Sequence, residues 1–157
     1  MIAAHSTGGG EAATLHDWIA QVLGNTEFAG ELSKLCTRLE VDNGQIIAIE
    51  GDPADSMHFI VEGRIGVLVE TANGRPVRVR SLGPHTTMGE MGLITRQTRS
   101  ATIQAEVPSV LYELSAEAYE RLKQENGALA QALLTYIVKV MAERLSFARR
   151  LIGVLRR

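Results

Sequence analysis

Between residues 39 and 114, short apolar runs alternate with turn residues, and this spacing constrains the fold more than any other feature of the chain. The run "GQIIAIEG" ends at a Gly-Asp-Pro turn, and "TANGR" carries Asn73-Gly74, a strong signal for a β-hairpin. "RIGVLVE" and "SATIQAEV" have apolar residues at every second position, as strands with one buried face do. Short strands separated by turns predict a jelly-roll barrel or sandwich of about eight strands.

Helical spacing precedes the strand region. Trp18, Ile19 and Val22 recur at the spacing of one helix face. Gly24 can end this helix, and the Asn-Thr pair that follows can cap the next one. The start of the chain, "MIAAHSTGGGEAATL", lacks the basic region and apolar core of a signal peptide, and its three glycines are typical of a flexible linker.

Helical spacing returns after the strands. Ser115 is a good N-cap, and Gly127 marks a break before a long helix. We therefore expect a flexible leader over residues 1–14 and a single domain over residues 15–157. Its class is α+β, mainly β, with N-terminal helices at 15–38, a β-roll containing a short helix at 39–114, and C-terminal helices at 115–157.

The last helix carries an apolar seam. Its members alternate in steps of four and three residues, which is a heptad pattern: Leu134, Val138, Met141, Leu145, Ala148, Ile152 and Leu155. Two interpretations are open. The seam can pack on the barrel, or residues 134–155 can pair with a second copy of the chain and form a homodimer.

Composition and charge exclude several function classes. The formal net charge of −2 is not that of a free-standing nucleic-acid binder, and the single cysteine fits a reducing, cytoplasmic compartment. The four histidines, His5, His16, His58 and His85, are scattered, so we expect no metal site; His58 and His85 are interpreted as surface or turn residues. No nucleophile lies near a general base. The chain is therefore expected to be no enzyme and to need no cofactor.

One stretch, "HTTMGEMGLITRQTRSAT", places an acid and a base inside a predicted apolar fold. Gly89 allows the backbone to approach a ligand closely. Arg99 offers a planar fork that fits phosphate oxygens, and Ser100 adds a hydroxyl donor. Glu90 repels a bare phosphate but can accept a hydrogen bond from a ligand hydroxyl. These groups together suit a ribose phosphate, although a semi-buried ion pair between Glu90 and Arg99 is the structural alternative.

The segment "GEMGLITRQTRSA" resembles the phosphate-binding cassette of the cyclic nucleotide-binding domain family. "NGQIIAIEGDPADSMHFIVEGRIGVLV" is similar to the glycine-spaced strands that precede this cassette, and "SLGPHTTMGE" resembles the approach to it. The likeness runs from about Leu35 to Leu155. One departure is Thr98, where many members have proline. Arg96 lies nearby and could compete for the phosphate, but the Ser-Ala pair that follows Arg99 favours Arg99.

The resemblance implies a role for each site residue. Glu90 would accept the ribose 2′-hydroxyl, and backbone N–H groups near Gly89 and Ala101 would hold the phosphate together with Arg99 and Ser100. Arg149 on the last helix would cover the base. The implied ligand contacts are Gly89, Glu90, Met91, Arg99, Ser100, Ala101, Val67, Val79, Met88 and Arg149.

The resemblance also implies a function: a sensor that binds a 3′,5′-cyclic nucleotide, cyclic AMP favoured over cyclic GMP, and moves its C-terminal helix. No DNA-binding domain follows that helix in this chain, so we expect no DNA binding by it alone. Channels and permeases of bacteria carry such a domain at their cytoplasmic end, and a fused or partner membrane transporter is therefore an expected effector. The alternative is a nucleotide-free scaffold that oligomerises through its last helix.

Overall fold

The computed structural model describes the backbone of residues 8–156 and the side chains of residues 14–156. The elements follow one another as α1 (Gly8–Leu23), α2 (Thr26–Leu35), β1 (Thr37–Val41), β2 (Ile46–Ala48), β3 (Ser56–Glu62), β4 (Ile65–Glu70), β5 (Pro76–Leu82), β6 (Thr86–Met88), α3 (Glu90–Thr95), β7 (Thr102–Ala105), β8 (Ser109–Ser115), α4 (Ala116–Glu125) and α5 (Gly127–Leu155).

The strands form two antiparallel four-stranded sheets with the orders β1-β8-β3-β6 and β2-β7-β4-β5. Strand β3 is buried on both faces, since the β2-β7-β4-β5 sheet lies on one side of it and helices on the other. Met57 and Phe59 pack against the helices, whereas Ile60 packs between the sheets with Ile65 and Leu111. The predicted α+β jelly roll of about eight strands between helical flanks is confirmed.

Local signals in the sequence explain the helix ends. The side chain of Asn25 accepts a hydrogen bond from the N–H of Phe28, 3.0 Å away, and Ser115 accepts one from Ala118 at 3.1 Å. Each cap satisfies a donor that has no partner inside its helix. Gly24 has a φ of +68°, the left-handed conformation that commonly ends a helix. These predicted boundaries are confirmed.

Helix α1 corrects the predicted leader. It begins at Gly8, so residues 8–14 are helical rather than flexible. Alanine and glutamate, strong helix formers, follow the glycine run and extend the helix of Trp18 toward the N-terminus. The rest of the predicted leader, residues 1–7, lies outside the described residues.

Helix α5 packs on the domain through a stripe different from the predicted seam. Its buried residues are Leu129, Ala130, Leu133 and Ile137. In the seam, by contrast, Val138 is 58% exposed and Leu145 is 64% exposed. Among the described seam residues, Met141 packs partly against the core, but the seam as a whole does not, and the stripe centred on Leu133 packs on the domain instead. No helix in the described part of the chain combines the length and apolar character needed to cross a membrane.

Candidate functional site

A cavity of about 380 Å³ lies between the β2-β7-β4-β5 sheet and the short helix α3. All four strands of this sheet contribute to its wall, and α3 with the segment after it forms the opposite side. Met141 and Arg144 of α5 lie over one part of the cavity. Its apolar wall consists of Ile47, Ala48, Val67, Leu82, Met88 and Ile103. Most polar groups lie on the α3 side, and the side formed by the sheet is apolar apart from Arg80.

Gly89 allows α3 to begin where it does. Its φ is +77°, a left-handed conformation that side chains with a Cβ rarely adopt. A Cβ at this position would lie 2.6 Å from Nη1 of Arg99 and 2.8 Å from the carbonyl oxygen of Ser56. Glycine is therefore required both by the turn and by the close approach of the arginine. As a consequence, Glu90 and Arg99 reach the same cavity.

Arg99 is held on the polar α3 side by backbone and side-chain contacts. Its N–H donates to the carbonyl of Asp52 at 2.8 Å, and its own carbonyl accepts from Gly51 at 2.9 Å. The guanidinium donates to the carbonyl and to the hydroxyl of Ser56, both at 2.9 Å, and lies 3.5 Å from the exposed carboxylate of Asp55. The side chain is 10% exposed, so a fixed positive charge lines a largely dehydrated part of the wall.

Glu90 is 2% exposed and lines the same cavity as Arg99. Its carboxylate accepts a hydrogen bond from the hydroxyl of Thr87 and one from Nη1 of Arg144 at 2.9 Å. Arg144 belongs to α5, and its Nη2 also donates to the carbonyl of Thr87 at 2.6 Å. The buried carboxylate of Glu90 is therefore paired with a cation from the C-terminal helix, and the structural alternative, a Glu90–Arg99 ion pair, is not formed among the described residues.

Most of the site residues predicted from the sequence come together here. Val67, Met88, Gly89, Glu90, Met91, Arg99, Ser100 and Ala101 all line the cavity. Arg96, the predicted competitor for the phosphate, is exposed and does not line it. The arrangement provides a hydrogen-bond acceptor and a phosphate-type donor on one side of a largely apolar cleft.

Val79 is not brought to the cavity: it is 60% exposed on the outer face of β5. Val67 pairs with Arg80, but Leu68 pairs with Arg78, so Val79 is the extra residue of a β-bulge. Side chains along a strand alternate between its two faces, so Arg80, two residues before the buried Leu82, lies on the same face as Leu82. The alternation of Val77 and Val79 in the sequence suggested that Val79 points inward and Arg80 outward. Only the pairing of β5 with β4 shows that the reverse holds.

Arg149 is exposed and does not line the cavity either. Met141 and Arg144 are the residues of α5 that do. Arg149 follows Arg144 by five residues, which turns it about 140° around the helix axis. Nothing in the sequence singled out Arg144, because it flanks the seam next to Leu145, at a heptad position where charged residues are common.

His58 is corrected from a predicted surface residue to a buried one that is 3% exposed and lines the cavity. It lies opposite Glu113 in the β3–β8 pair, and its Nε2–H donates to the Glu113 carboxylate at 2.9 Å. This hydrogen bond holds the pKa of Glu113 below its usual value. Burial, together with the negative charge of Glu113, raises the pKa of the Cys36 thiol to about 12. Across the described residues, no three His, Cys, Asp or Glu side chains could share a metal ion.

Comparisons with known proteins agree with this geometry. The family model described as the cyclic nucleotide-binding domain matches residues 38–126. Glutaminase 1 of Bradyrhizobium diazoefficiens is 28% identical over 125 residues, 80% of this chain but 20% of that protein. The cAMP-activated global transcriptional regulator Vfr of Pseudomonas aeruginosa is 28% identical over 122 residues, 75% of this chain and 55% of that protein.

The chain therefore spans only part of the curated relatives that it matches. Among solved structures, a cyclic nucleotide-binding domain from Methylobacillus flagellatus KT superimposes with a TM-score of 0.78 at 21% identity, covering 83% of this chain and 78% of that one. The likeness in structure shows the fold, and the family model covers more than half of the sequence. The chain belongs to the cyclic nucleotide-binding domain family.

Proposed function

We propose that this chain is a non-enzymatic sensor domain that binds a 3′,5′-cyclic nucleotide at the cavity of α3. The observation that carries the proposal is that Glu90 and Arg99 line one cavity from the two sides of Gly89. In this arrangement Arg99 would hold the cyclic phosphate, with Ser100 as a second donor, and Glu90 would accept the ribose 2′-hydroxyl. One relative, Vfr, is named as cAMP-activated, which supports a nucleotide of this class.

The shape of the cavity supports this ligand class. Its volume of about 380 Å³ lies within the range of about 300–1,000 Å³ typical of small-molecule sites. An anionic, hydroxyl-bearing end of the ligand matches the polar α3 side of the cavity, and a planar base matches the apolar wall of Val67, Leu82 and Ile103. Neither a metal nor a cofactor is part of this proposal.

The contact between Glu90 and Arg144 would couple ligand binding to the position of helix α5. The ribose hydroxyl and Arg144 would share one buried carboxylate, so binding changes the interaction that holds α5 against α3. A ligand shifts such an equilibrium only by binding one arrangement more tightly than the other. The proposed output is a change in the position of α5 that a fused or partner protein detects.

Calorimetric titration with cyclic nucleotides tests the binding site directly. We expect 2′-deoxy analogues to bind about 5- to 150-fold more weakly than their parents, because they lack the hydroxyl that would donate to the buried carboxylate of Glu90. In a Glu90→Gln variant the difference between the parent and the deoxy analogue should become smaller, because the neutral amide oxygen is a weaker acceptor than the carboxylate. A wild-type protein that shows no heat with cyclic AMP or cyclic GMP would contradict the proposal and would favour the scaffold, the alternative function.

Amide hydrogen exchange tests the switch separately. Saturation with nucleotide should change the exchange of amides between residues 138 and 150 in the wild-type chain, since Arg144 anchors this part of α5 to Glu90. The same change should be much smaller in Arg144→Gln, in which the anchor is missing from the start. Identical exchange with and without bound nucleotide would show that α5 does not respond.

The remaining partner assignments stay predictions. The exposed seam residues Leu134, Val138, Leu145, Ile152 and Leu155 leave a face on which a second copy could pair, which sedimentation with and without nucleotide tests. A fused or partner membrane transporter, a cytoplasmic location and the absence of DNA binding are proposed on the resemblance alone.

A further inference from the structure

A second cavity, of about 600 Å³, shares Arg80 and Arg144 with the first. Helices α1 and α5 form two of its walls, and the end of β5 with the turn into β6 forms the third. The volume falls within the range of about 300–1,000 Å³ typical of small-molecule sites. The nucleotide site leaves this space unused.

Aromatic rings line much of the second cavity. Trp18, His85, Tyr136 and Phe147 contribute one ring each. The rings of Trp18 and His85 lie 5.4 Å apart at an angle of 31°, and the N–H of His85 donates to the carbonyl of Ile60 at 2.9 Å, which holds this turn in place. Phe147 is 54% exposed, so much of its apolar side chain is open to solvent. A flat apolar molecule would be stabilised by packing on these rings.

The charged residues of the second cavity are mostly cations. Among the described residues that line it, Arg80, Lys139 and Arg144 face a single carboxylate, that of Glu143. Lys139 lines this cavity and not the first, and within the described part of the chain its ammonium group makes no ion pair or hydrogen bond. This group is therefore free to bind an anion, and the excess of positive charge attracts one.

We propose that the second cavity binds a small aromatic carboxylate. The ring system would pack on Trp18 and Phe147, and the carboxylate would accept hydrogen bonds from Lys139 and Arg144. Both parts of the ligand are needed, because the rings alone do not select a charge and an exposed lysine alone is a weak anion site. This site does not depend on the nucleotide proposal.

Thr87 and Arg144 connect the two cavities. Both line the second cavity, and both donate to Glu90 in the first, Thr87 through its hydroxyl and Arg144 at 2.9 Å. An anion that draws Arg144 away would leave the buried carboxylate of Glu90 without its cation, in the cavity that is proposed to hold the phosphate. The nucleotide would then bind more weakly, and by linkage it would weaken the aromatic carboxylate by the same factor. This coupling, unlike the site, rests on the proposed function.

A pair of probes tests the site in the wild-type chain. 2-Naphthoate and 2-naphthamide share one ring system but differ in charge, and calorimetry provides their dissociation constants. We expect 2-naphthoate to bind at least about tenfold more tightly, because its hydrogen bonds are charge-assisted. The chain has one tryptophan, Trp18, so a single indole N–H resonance reports on this cavity and should shift during the titration.

A matched pair of variants isolates the anion contact. Lys139→Met should weaken 2-naphthoate by about fivefold and leave 2-naphthamide unchanged, since only the charged probe uses the ammonium group. Its affinity for a cyclic nucleotide should stay within about threefold of the wild type, because Lys139 does not line the first cavity. Arg121→Met removes one exposed positive charge from α4, which lines neither cavity, and should change none of these affinities.

Titrations with both ligands present test the coupling. Saturating cyclic nucleotide should weaken 2-naphthoate at least about fivefold and then reach a plateau, and saturating 2-naphthoate should weaken the nucleotide by the same factor. Weakening that grows without limit as nucleotide is added would mean that the two ligands compete for one site, and this overturns the inference. An affinity for 2-naphthoate that nucleotide does not change overturns the coupling.

The other outcomes separate the site from the proposed function. The site is overturned if 2-naphthoate does not bind, if it binds no better than 2-naphthamide, or if Lys139→Met and Arg121→Met behave alike. An affinity for 2-naphthoate that falls as the protein concentration rises would mean that a second copy of the chain covers the cavity, which also overturns the site. If 2-naphthoate binds with the expected dependence on Lys139 while no cyclic nucleotide binds, the proposed function fails and the site stands.

Discussion

Arg99→Ala should reduce the affinity for a 3′,5′-cyclic nucleotide by at least about 100-fold. Hydrogen bonds to charged groups contribute about 1.5–3 kcal/mol each, and the arginine fork can form two with one phosphate. The guanidinium is only 10% exposed, so a phosphate at this position would also be poorly hydrated once the cation is gone. Isothermal titration with cyclic GMP and cyclic AMP measures the loss directly.

Arg96→Ala serves as the control for this prediction. Arg96 lies three residues earlier, is exposed and does not line the cavity, so its removal changes the net charge equally without touching the site. We expect less than a threefold change in affinity, the size of a screened surface-charge effect. Binding that survives Arg99→Ala undiminished, or that depends equally on Arg96, would show that the phosphate is held elsewhere.

Gly89→Ala should destabilise the fold strongly. A side chain at a φ of +77° costs about 1–2 kcal/mol, and the new Cβ would also lie 2.8 Å from the backbone oxygen of Ser56. That oxygen belongs to β3, which is paired on both sides, so it cannot move away easily. We expect a total loss of about 3–4 kcal/mol in the free energy of unfolding.

Gly51→Ala separates the two contributions. Gly51 has a φ of +89°, but no atom lies within 4 Å of the position of its added Cβ. This variant should therefore lose only the conformational part, about 1–2 kcal/mol. Chemical denaturation of both variants measures the difference, and titration of folded Gly89→Ala should show weakened nucleotide binding because Nη1 of Arg99 is displaced. Equal losses in the two variants would indicate that the contact with Ser56 is relieved at no cost.

Much of the candidate site was predictable from the sequence because its residues are close together in the chain. Gly89 and Glu90 are adjacent, and Arg99 follows within ten residues, so a single short helix and the strand after it bring them to one cavity. The need for a left-handed residue at Gly89 is a property of the backbone itself. Val79 and Arg149, by contrast, do not line the cavity. The orientation of each depends on packing against an element that is distant in the sequence.

Neighbouring residues thus determined the periods, turns and caps of this protein: alternation over the strands, Asn73-Gly74 at a hairpin, Ser115 at a helix start. Only the tertiary structure decided that Arg80 faces the cavity and that Arg144 meets Glu90. The physical reason is that a bulge shifts the phase of a strand by one residue, and its position follows from pairing with another strand. The rotation of α5 is likewise set by the packing of Leu133 and Ile137 on the domain, which the periodicity of the helix does not contain.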